Sequence, residues 1–493
     1  MSLPVSLYTS AQVRAMDRAA IAQLHLSGYA LMERAGEAAL RALRERWPGA
    51  GRITVVCGPG NNAGDGYVLA RLARAAGCLV TVLAASPPER LRGDALEASA
   101  AWRAAGGTIE PFTAQGLLQT EVLVDALLGT GLCGAVRADL AQVIHALNAS
   151  GRAILALDVP SGLDADRGLP LGVAVRAECT VTFVALKTGL LLGEGPEHCG
   201  ALLFDDLGLT GHLSELPAAR LERLMRADLQ QALPRRARGA NKGDFGQVLI
   251  VGGGPGMPGA ARLAGEACLR AGAGRVTVAV APQNLAAVAS GRPELMCVPL
   301  ERPETLRTLA ERCDLVAVGP GLGQDAWARA AFEAALGCGK PLVLDADALN
   351  LLAAAPRDAP ASGWVLTPHP GEAARLLATS SAQVQHDRLG ALEALLARYG
   401  GVVVLKGAGT LVGRLAAVPA VCEWGNPGMA SPGMGDVLTG LIAGILAQCG
   451  DAWRAARAGV LAHALAGDAA ARAGQRGLLA GDLIEELRGC VNF

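Results

Sequence analysis

The stretch RITVVCGPGNNAGDGYVLARLA, residues 52–73, reads as a buried strand that turns tightly into a helix. A glycine-rich turn of this kind usually holds a phosphate on the backbone N–H groups of the helix N-terminus. Here the tip of the turn also carries Asn61, Asn62 and Asp65. The stretch predicts a parallel α/β fold with a binding loop, and it raises the question of why that loop needs amide and carboxylate side chains.

Apolar runs typical of strands alternate with helical stretches along both halves of the chain, which indicates doubly wound parallel sheets. The first series is RITVVCG, LVTVLAA, EVLVDALLG, AILALDVP and TVTFVALK, and the second is QVLIVGG, RVTVAVAP, DLVAVGPG, PLVLDADA, WVLTPHPG and VVVLKGAG. Between Thr210 and Lys242 the sequence offers helix, prolines and basic residues but no strand. A chain of 493 residues also exceeds what one core normally organises. We therefore predict two doubly wound α/β domains, residues 1–217 and 218–493, with the boundary near Pro217.

Charge and cysteine content exclude several classes of protein. The chain has 44 Lys and Arg against 45 Asp and Glu, a formal net charge of -1, which disfavours a nucleic-acid partner or an anionic membrane surface. The segment MSLPVSLYTSAQVRAMD lacks the features of a targeting signal, and no run approaches the roughly 18 apolar residues of a membrane span. The 12 cysteines contain no C-x-x-C pair, which disfavours structural zinc and a disulfide framework. We expect a cytoplasmic protein with reduced thiols and no membrane attachment.

A dinucleotide fingerprint is present but incomplete. Gly254 to Gly259 match G-x-G-x-x-G between a strand and a helix, yet the next strand ends VTVAVAPQN, without the acid that would hold the ribose hydroxyls. The opening stretch has the spacing G-x-G-x-x-x-G, and its next strand ends LAASPP. Both halves therefore disfavour a redox Rossmann domain.

Oxygen-bearing side chains follow several strands of the first series, and in a doubly wound sheet these strand ends meet at one edge. Beyond the opening loop they are Asp125, Asp158 with Ser161, and then Lys187. Asn, Asp and Ser oxygens together suit a hard monovalent cation better than zinc, and a carboxylate beside such an ion could act as a general base. Each Asp or Ser could instead cap a turn, and a salt bridge is the default role for Lys187.

The second series contains GNPGMASPGMGDVLTGLIAGIL, in which Gly433 and Gly435 precede Asp436 at the start of an apolar helix. Free N–H groups beside a carboxylate form the anion hole and base that phosphoryl transfer to a hydroxyl requires, although Asp436 could be only an N-cap. The loop after VVVL, residues 406–410, suits nucleotide phosphates but lacks Walker spacing. His369, between two prolines, is either incidental or part of the site.

Residues 1–210 resemble the NAD(P)H-hydrate epimerase family through PGNNAGDG, DALLGTG, LDVPSGLDAD and TVTFVALKTGL, in this order and spacing. The resemblance implies a Rossmann-like three-layer sandwich in which Asn62, Asp125 and Ser161 bind potassium and Asp158 contacts the substrate and moves the proton. The residues implied to line the hydrated-nicotinamide pocket are Asn61, Asn62, Ala63, Gly64, Asp65, Gly129, Thr130, Gly131, Leu132, Cys133, Gly134 and Ala135. On this interpretation the Asn and Asp side chains of the opening loop bind a damaged dinucleotide with an ion beside it.

Residues 235–493 resemble the ADP-dependent NAD(P)H-hydrate dehydratase family, a branch of the ribokinase-like fold. The resemblance is carried by NKGDFG, GMPGAARLAG, GPGLG, LDADALN, LTPHPGE, LKGAGT and NPGMASPGMGDVLTG. It implies that Ala260, Gly323, His369 and Asp436 contact the substrate, with Asp436 as the catalytic base. The residues implied to hold the nucleotide phosphates are Lys406, Gly407, Ala408, Gly409, Thr410 and Gly435.

The two resemblances together predict a bifunctional repair enzyme for hydrated NADH and NADPH. One domain would interconvert the R and S hydrates, and the other would dehydrate the S hydrate with ADP and Mg²⁺, giving NAD(P)H, AMP and phosphate. The alternative is a ribokinase-like small-molecule kinase whose first domain is a non-catalytic nucleotide sensor. We also expect the chain to form a homo-oligomer.

Overall fold

The computed structural model describes residues 3–209, 211, 217–355 and 363–492. The chain divides into two compact units, Met1–Leu221 and Glu222–Phe493. Both units are α/β with mainly parallel sheets, which confirms the predicted fold class. Within the described ranges, no helix is both long and apolar enough to cross a bilayer.

In the described part of the chain, the first unit has nine strands, and seven of them form one parallel sheet. Its strands are β1 (Ser6–Tyr8), β2 (Arg52–Cys57), β3 (Leu79–Ala84), β4 (Glu110–Pro111), β5 (Val122–Ala126), β6 (Ala153–Leu157), β7 (Cys179–Phe183), β8 (Leu186–Lys187) and β9 (Ala201–Asp205). Its helices are α1 (Ser10–Leu24), α2 (Gly28–Arg46), α3 (Asn61–Ala75), α4 (Gly93–Ala104), α5 (Ala138–Ala149) and α6 (Gly195–Cys199). The sheet order is β4-β3-β2-β5-β6-β7-β9, and β1 and β8 form a further parallel pair.

Side chains of β2 alternate between two cores, as the two-residue period of a strand requires. Ile53, Val55 and Cys57 pack with α2, α3 and α4 on one face, while Val56 packs with α5 on the other. Helices therefore cover both faces of the sheet, and the unit is the predicted three-layer sandwich. Because both faces are buried, the strands are nearly continuous apolar runs, which is why they are visible in the sequence.

The second unit contains a larger sheet of ten strands. Its strands are β10 (Leu221–Arg223), β11 (Gln247–Val251), β12 (Arg275–Val280), β13 (Met296–Pro299), β14 (Leu315–Val318), β15 (Leu342–Leu344), β16 (Trp364–Leu366), β17 (Val402–Leu405), β18 (Thr410–Arg414) and β19 (Ala420–Cys422). Its helices are α7 (Arg226–Ala232), α8 (Pro258–Arg270), α9 (Leu285–Ala289), α10 (Pro303–Glu311), α11 (Ala326–Leu336), α12 (Ala346–Ala354), α13 (Pro370–Leu377), α14 (Ser381–His386), α15 (Arg388–Tyr399), α16 (Met434–Cys449), α17 (Ala452–Ala470) and α18 (Ala480–Cys490). The order is β13-β12-β11-β14-β15-β16-β17-β18-β19-β10.

Helices α8 and α16 form the centre of the main core of this unit, against one face of β11. They lie so close together that a Cβ atom at Gly440 would be 2.0 Å from the carbonyl oxygen of Ala264. A larger residue at position 440 would therefore push the helices apart. This close packing fixes the N-terminus of α16, where Asp436 lies.

The prediction that no strand lies between Thr210 and Lys242 is wrong, because β10 pairs in parallel with β19 inside that segment. The strand has three residues, and only the pairs Glu222 with Ala420 and Arg223 with Val421 are in register. A strand of only three residues is too short to show a measurable alternation of apolar and polar residues. Residues 210 and 212–216, also in that segment, lie outside the described residues.

The sheet of the second unit is also not wholly parallel. Strand β18 runs antiparallel to both β17 and β19. The connection from β17 to β18 has four residues, Lys406 to Gly409, whereas a parallel crossover needs about a dozen or more. The predicted phosphate-binding loop is therefore a hairpin turn, and Thr410 is the first residue of β18 rather than part of the loop.

Candidate active sites

The first unit contains a cavity of ≈ 630 Å³ where the direction of strand order reverses. The chain proceeds from β2 outward to β3 and β4, then returns to β5 on the other side of β2. The loops that follow β2 and β5 therefore diverge and leave a crevice, which is where doubly wound sheets bind ligands. The predicted residues that line the cavity are Asn61, Asn62, Asp65, Gly129, Thr130, Gly131, Leu132, Cys133, Ala135, Asp158 and Lys187.

Three predicted pocket residues do not line the cavity. Ala63 is fully buried in the core beside α2 and α4. A Cβ atom at Gly64 would lie 2.3 Å from Met32 Sδ, so this glycine permits close helix packing. Gly134 is in the loop after β5, but it is not among the residues that line the cavity.

The three predicted potassium ligands lie together at the ends of α3, β5 and β6. Ser161 donates to Asp125 twice, from Oγ to Oδ1 at 2.6 Å and from its backbone N–H to Oδ2 at 2.8 Å. The carbonyl oxygen of Leu128 accepts from Asn62 Nδ2 at 3.1 Å and lies 3.1 Å from Ser161 Oγ. Burial raises the pKa of Asp125 to about 6, against the hydrogen bonds from Ser161 and Leu127.

The amide oxygen of Asn62 is the observation that favours a cation. Asn62 Oδ1 is buried and has no hydrogen-bond partner, whereas buried polar atoms normally have one. The hydrogen-bond network that Asn62 joins through Nδ2 contains the Leu128 carbonyl oxygen, the Ser161 hydroxyl and the Asp125 carboxylate. An all-oxygen set with one negative charge fits a hard monovalent cation.

Asp158 and Lys187 form an ion pair in the same cavity. Lys187 is buried on β8 and donates to Asp158 Oδ1, to Thr182 Oγ1 at 3.0 Å and to the Phe183 carbonyl oxygen at 2.8 Å. The backbone of Asp158 is left-handed, with φ +65°, a conformation that costs energy in a residue other than glycine. Such strained conformations are common at functional sites. Here the left-handed backbone accompanies a carboxylate that lines the cavity.

Asp17 was not predicted as a site residue, although it lies in the wall of the cavity on α1. Its Oδ1 atom is buried without a hydrogen-bond partner. Burial raises its pKa to about 6, and the charge of Lys187 opposes that rise. Arg14, one turn earlier, donates to the carbonyl oxygen of Thr130 at 2.6 Å and so ties α1 to the loop after β5.

The candidate site of the second unit is organised around Asp345, directly after β15. Lys406 Nζ lies 2.6 Å from Asp345 Oδ1 and 3.7 Å from Glu372 Oε2. Thr367 and Thr439 donate their hydroxyl groups to Asp345 at 2.8 and 2.7 Å. The buried carboxylate is thus held by a cation and two hydroxyls, which fixes it between β15, β16, β17 and α16.

Asp436 lies in the first turn of α16, and the structure gives the N-cap role to Gly433. Gly433 has φ +89°, and no side chain caps this helix, so Asp436 is not a cap residue. Burial raises the pKa of Asp436 to about 7, helped by the negative charge of Asp345 and opposed by Lys406. A Cβ atom at Gly435 would lie 3.3 Å from Lys406 Nζ, so glycine leaves room between the helix end and the ammonium group.

A buried arginine supports the loop that follows Lys406. Arg388 is almost completely buried and donates to the carbonyl oxygens of Leu405, Lys406 and Gly409 at 3.2 to 3.3 Å. Burial lowers its pKa to about 10. With its carbonyls held by the guanidinium, this loop has a fixed shape before any ligand binds.

The remaining predicted contacts take different structural roles. His369 is the N-cap of α13, where its Nδ1 accepts from the N–H groups of Gly371 and Glu372. Burial and the nearby positive charges lower its pKa, so it is neutral at pH 7, and Nδ1 as acceptor places the proton on Nε2. Gly323 donates its N–H to Asp347 Oδ2 at 2.8 Å, and Ala260 is in the first turn of α8.

Replacing Lys406 with Met should lower the free energy of unfolding of the second unit by roughly 3 kcal/mol, because Asp345 becomes a buried charge without its partner. The side chains are 16% and 1% exposed. The control is Arg454→Met, which breaks a pair with Asp451 that is 56% and 40% exposed and should change stability by less than about 1 kcal/mol. Denaturant unfolding of both variants makes the comparison. Equal changes would contradict a stabilising role for the Lys406–Asp345 pair.

Comparison with known proteins gives matches to both halves and to the whole chain. The family described as YjeF-related protein N-terminus matches residues 28–189, and the family described as NAD(P)H-hydrate dehydratase matches residues 248–488. The bifunctional NAD(P)H-hydrate repair enzyme Nnr of Coxiella burnetii is 47% identical over 99% of each chain. The protein of that name from Escherichia coli is 44% identical over 100% of this chain and 95% of its own.

Among solved structures, an ADP/ATP-dependent NAD(P)H-hydrate dehydratase from Bacillus subtilis, co-crystallised with ATP and Mg²⁺, is 28% identical with a TM-score of 0.50. It covers 54% of this chain and 96% of its own. A ribokinase-like superfamily protein from Enterococcus faecalis is 30% identical with a TM-score of 0.52, over 56% of this chain and 98% of its own. Both cover only about half of this chain, and they support a ribokinase-like fold for the second unit.

Proposed function

The chain belongs to the family of bifunctional NAD(P)H-hydrate repair enzymes, and from this premise we propose how its two sites divide the reaction. It is a bifunctional enzyme with an epimerase domain and a nucleotide-dependent dehydratase domain. We assign epimerisation to residues 1–217 and dehydration to residues 218–493. The first domain interconverts the R and S hydrates, and the second returns the S hydrate to NAD(P)H.

In the epimerase, Asp158 exchanges a proton with the substrate. Its carboxylate reaches the cavity, and Lys187 holds one of its oxygens in place. The neighbouring N-terminus of α3 presents free N–H groups and the side chains of Asn61 and Asn62 to the hydrated ring. Asn62, Asp125 and Ser161 would hold K⁺, which supplies a fixed positive charge beside the bound substrate.

In the dehydratase, Asp436 removes the proton from the substrate hydroxyl, whose oxygen attacks the terminal phosphorus of ADP while the bond to the AMP oxygen breaks. The substrate now carries a phosphate ester. Inorganic phosphate then leaves the ring carbon as the neighbouring ring carbon loses a proton, which gives NAD(P)H, AMP and phosphate. Phosphate is a far better leaving group than hydroxide, which explains why a kinase-like fold serves a dehydration.

Lys406 and the N–H groups of Gly435 and its neighbours would receive the phosphates. The Bacillus subtilis relative, crystallised with ATP and Mg²⁺, supports the use of a nucleotide and Mg²⁺. Asp347 and Glu372 add negative charge near Asp436, so their carboxylates suit Mg²⁺, which takes one or two carboxylates together with nucleotide phosphates. The bound ion would neutralise charge on those phosphates.

One observation carries the dehydratase proposal: the partly buried carboxylate of Asp436 lies beside the Lys406 ammonium and the open N-terminus of α16. The test incubates purified protein with mixed R and S NADH hydrate and follows the absorbance of reduced nicotinamide with ADP, ATP or no nucleotide. Complete, nucleotide-dependent recovery supports both activities. No recovery with any nucleotide would contradict the repair function and favour the small-molecule kinase, whose first domain has no catalytic role.

Potassium should raise the epimerase rate at least tenfold over that in buffer with a large organic cation, because loss of groups that support a bound metal ion typically costs 10- to 100-fold in affinity or activity. It should also raise the melting temperature of the wild-type protein, since a bound ion stabilises the folded state. Asn62→Ala should lose both responses. Asn148→Ala removes an amide that bonds the backbone of Ala174 and Arg176 elsewhere in this domain, and it should keep them. Potassium responses that survive in Asn62→Ala would contradict the assigned site.

We also propose a cytoplasmic location, which the 12 free cysteines support because thiols stay reduced there. Assembly into a homo-oligomer stays a prediction. Light scattering on the purified chain tests it directly.

A further inference from the structure

The epimerase cavity contains an acidic group to which the mechanism above gives no role. Asp17 enters the cavity wall from α1, whereas Asp158 follows β6. The Oδ1 atom of Asp17 is buried, and no donor within the described residues bonds to it. An unpaired buried carboxylate oxygen is unfavourable for folding, so its position beside a binding cavity points to a partner on the ligand.

We infer that Asp17 is a second acid–base group of the epimerase. It exchanges a proton with the ring hydroxyl, or with water, on the face of the substrate ring opposite Asp158. This inference rests on the proposed epimerase function of the first domain. It adds Asp17, on α1, to Asp158, which follows β6 and is the one carboxylate already assigned to this reaction.

The chemistry of inversion requires proton transfer at two places. The ring nitrogen donates its electron pair to form a C=N⁺ bond, the C–O bond breaks, and the departing hydroxyl takes a proton from an acid to leave as water. A water molecule then attacks the planar carbon from the opposite face, gives its proton to a base, and returns the electron pair to nitrogen. Atoms and charge balance, and the acid of one direction is the base of the other. One carboxyl group on each side of the ring meets this need.

The groups around Asp17 make it suited to both roles. Its pKa of about 6 reflects burial and the negative charge of Asp158, while Lys187, Arg18 and Arg14 act in the opposite direction. A carboxyl group with this pKa can both give and take a proton near neutral pH. Asp65 also lines the cavity, but burial and the charges of Asp158 and Asp17 raise its pKa well above the usual range. This rise favours the protonated form of Asp65, which can donate a hydrogen bond to the ligand.

The test measures interconversion of separated R and S NADH hydrates without nucleotide, in the wild-type protein and in Asp17→Asn. We expect kcat to fall at least 100-fold with KM changed less than threefold, and the acid limb of the wild-type pH profile near pH 6 to disappear. ADP-dependent dehydration of the S hydrate by the same preparation should stay within twofold. Glu97→Gln, an exposed carboxylate of the same unit, should behave as wild type. Asp17→Ala, which also removes the unpaired oxygen, should melt at or above the wild-type temperature.

Three results would overturn the inference: a rate for Asp17→Asn within threefold of wild type, a loss confined to KM, or an unchanged acid limb in the pH profile. A wild-type protein that does not interconvert the epimers would instead refute the proposed epimerase function. The two failures are therefore distinguishable within one set of measurements.

Discussion

Asp436→Asn should lower the rate of ADP-dependent dehydration at least 1000-fold and leave epimerisation unchanged. The variant keeps the shape of the side chain but cannot accept the hydroxyl proton, so both the base and the charge that orients it are lost. The fold should tolerate the change, because the N-cap of α16 is Gly433 and Asp436 makes no capping bond. Loss of a partly buried carboxylate near Asp345 also removes like-charge repulsion.

The pH dependence gives a second, independent sign of this role. The pKa of Asp436 is raised to about 7, so the group is mostly protonated below that pH and cannot act as a base. At pH 6 only about a tenth of the protein would carry the ionised form, from the definition of a pKa. The kcat/KM for dehydration should therefore rise with pH through about 7 and level off above 8. The residual activity of Asp436→Asn should lack this rise.

Glu486→Gln is the control for Asp436→Asn, because it removes an exposed carboxylate from α18 of the same unit. It should keep the wild-type rate and pH profile. If Asp436→Asn retains more than a tenth of the wild-type rate, another group must take the proton. Formation of a stable phosphorylated product by the wild-type protein would favour a kinase over a dehydratase.

The sequence was sufficient to predict the elements that position the sites, because strands buried on both faces are long apolar runs. It also placed Asn62, Asp125 and Ser161 at strand ends that meet at one edge of a parallel sheet, and the structure brings them within hydrogen-bonding distance of one another or of Leu128. The reason is geometric: the carboxyl ends of neighbouring parallel strands lie together whatever their order in sequence.

Residues that reach a site from outside these strand ends have no comparable pattern in the sequence. Asp17 lies on a helix that precedes every strand of the seven-stranded sheet, and nothing in its neighbourhood in sequence indicates that α1 borders the cavity. Asp345 and Glu372 were inside quoted motifs, LDADALN and LTPHPGE, but their role depends on the Lys406 side chain that arrives from β17. Arg388 looks in sequence like any helical arginine, and only burial against the Lys406 loop separates it from a surface residue.

Asp158→Asn should abolish interconversion of the epimers, with a fall in rate of at least 1000-fold, and leave dehydration of the S hydrate at the wild-type rate. A mixture of R and S NADH hydrates with ADP would then give a fast recovery of the S portion only, and the R portion would persist. Asparagine is suited to this test because it tolerates the left-handed backbone that Asp158 adopts at φ +65°. Its amide oxygen can also accept from Lys187 in place of Asp158 Oδ1. The variant therefore changes the proton chemistry while it keeps the backbone and the lysine contact.

The outcome for Asp158→Asn also separates an enzyme domain from a nucleotide sensor. Glu97→Gln serves again as the exposed control in this unit and should recover both epimers fully. Binding of the hydrate to the first domain, measured by calorimetry without ADP, should persist in Asp158→Asn, because the N-terminus of α3 and the loop after β5 are unchanged. Binding with no interconversion is the result expected for a catalytic carboxylate. If R hydrate is still consumed at more than a tenth of the wild-type rate, Asp158 does not move the proton, and the pairing with Lys187 would then be structural.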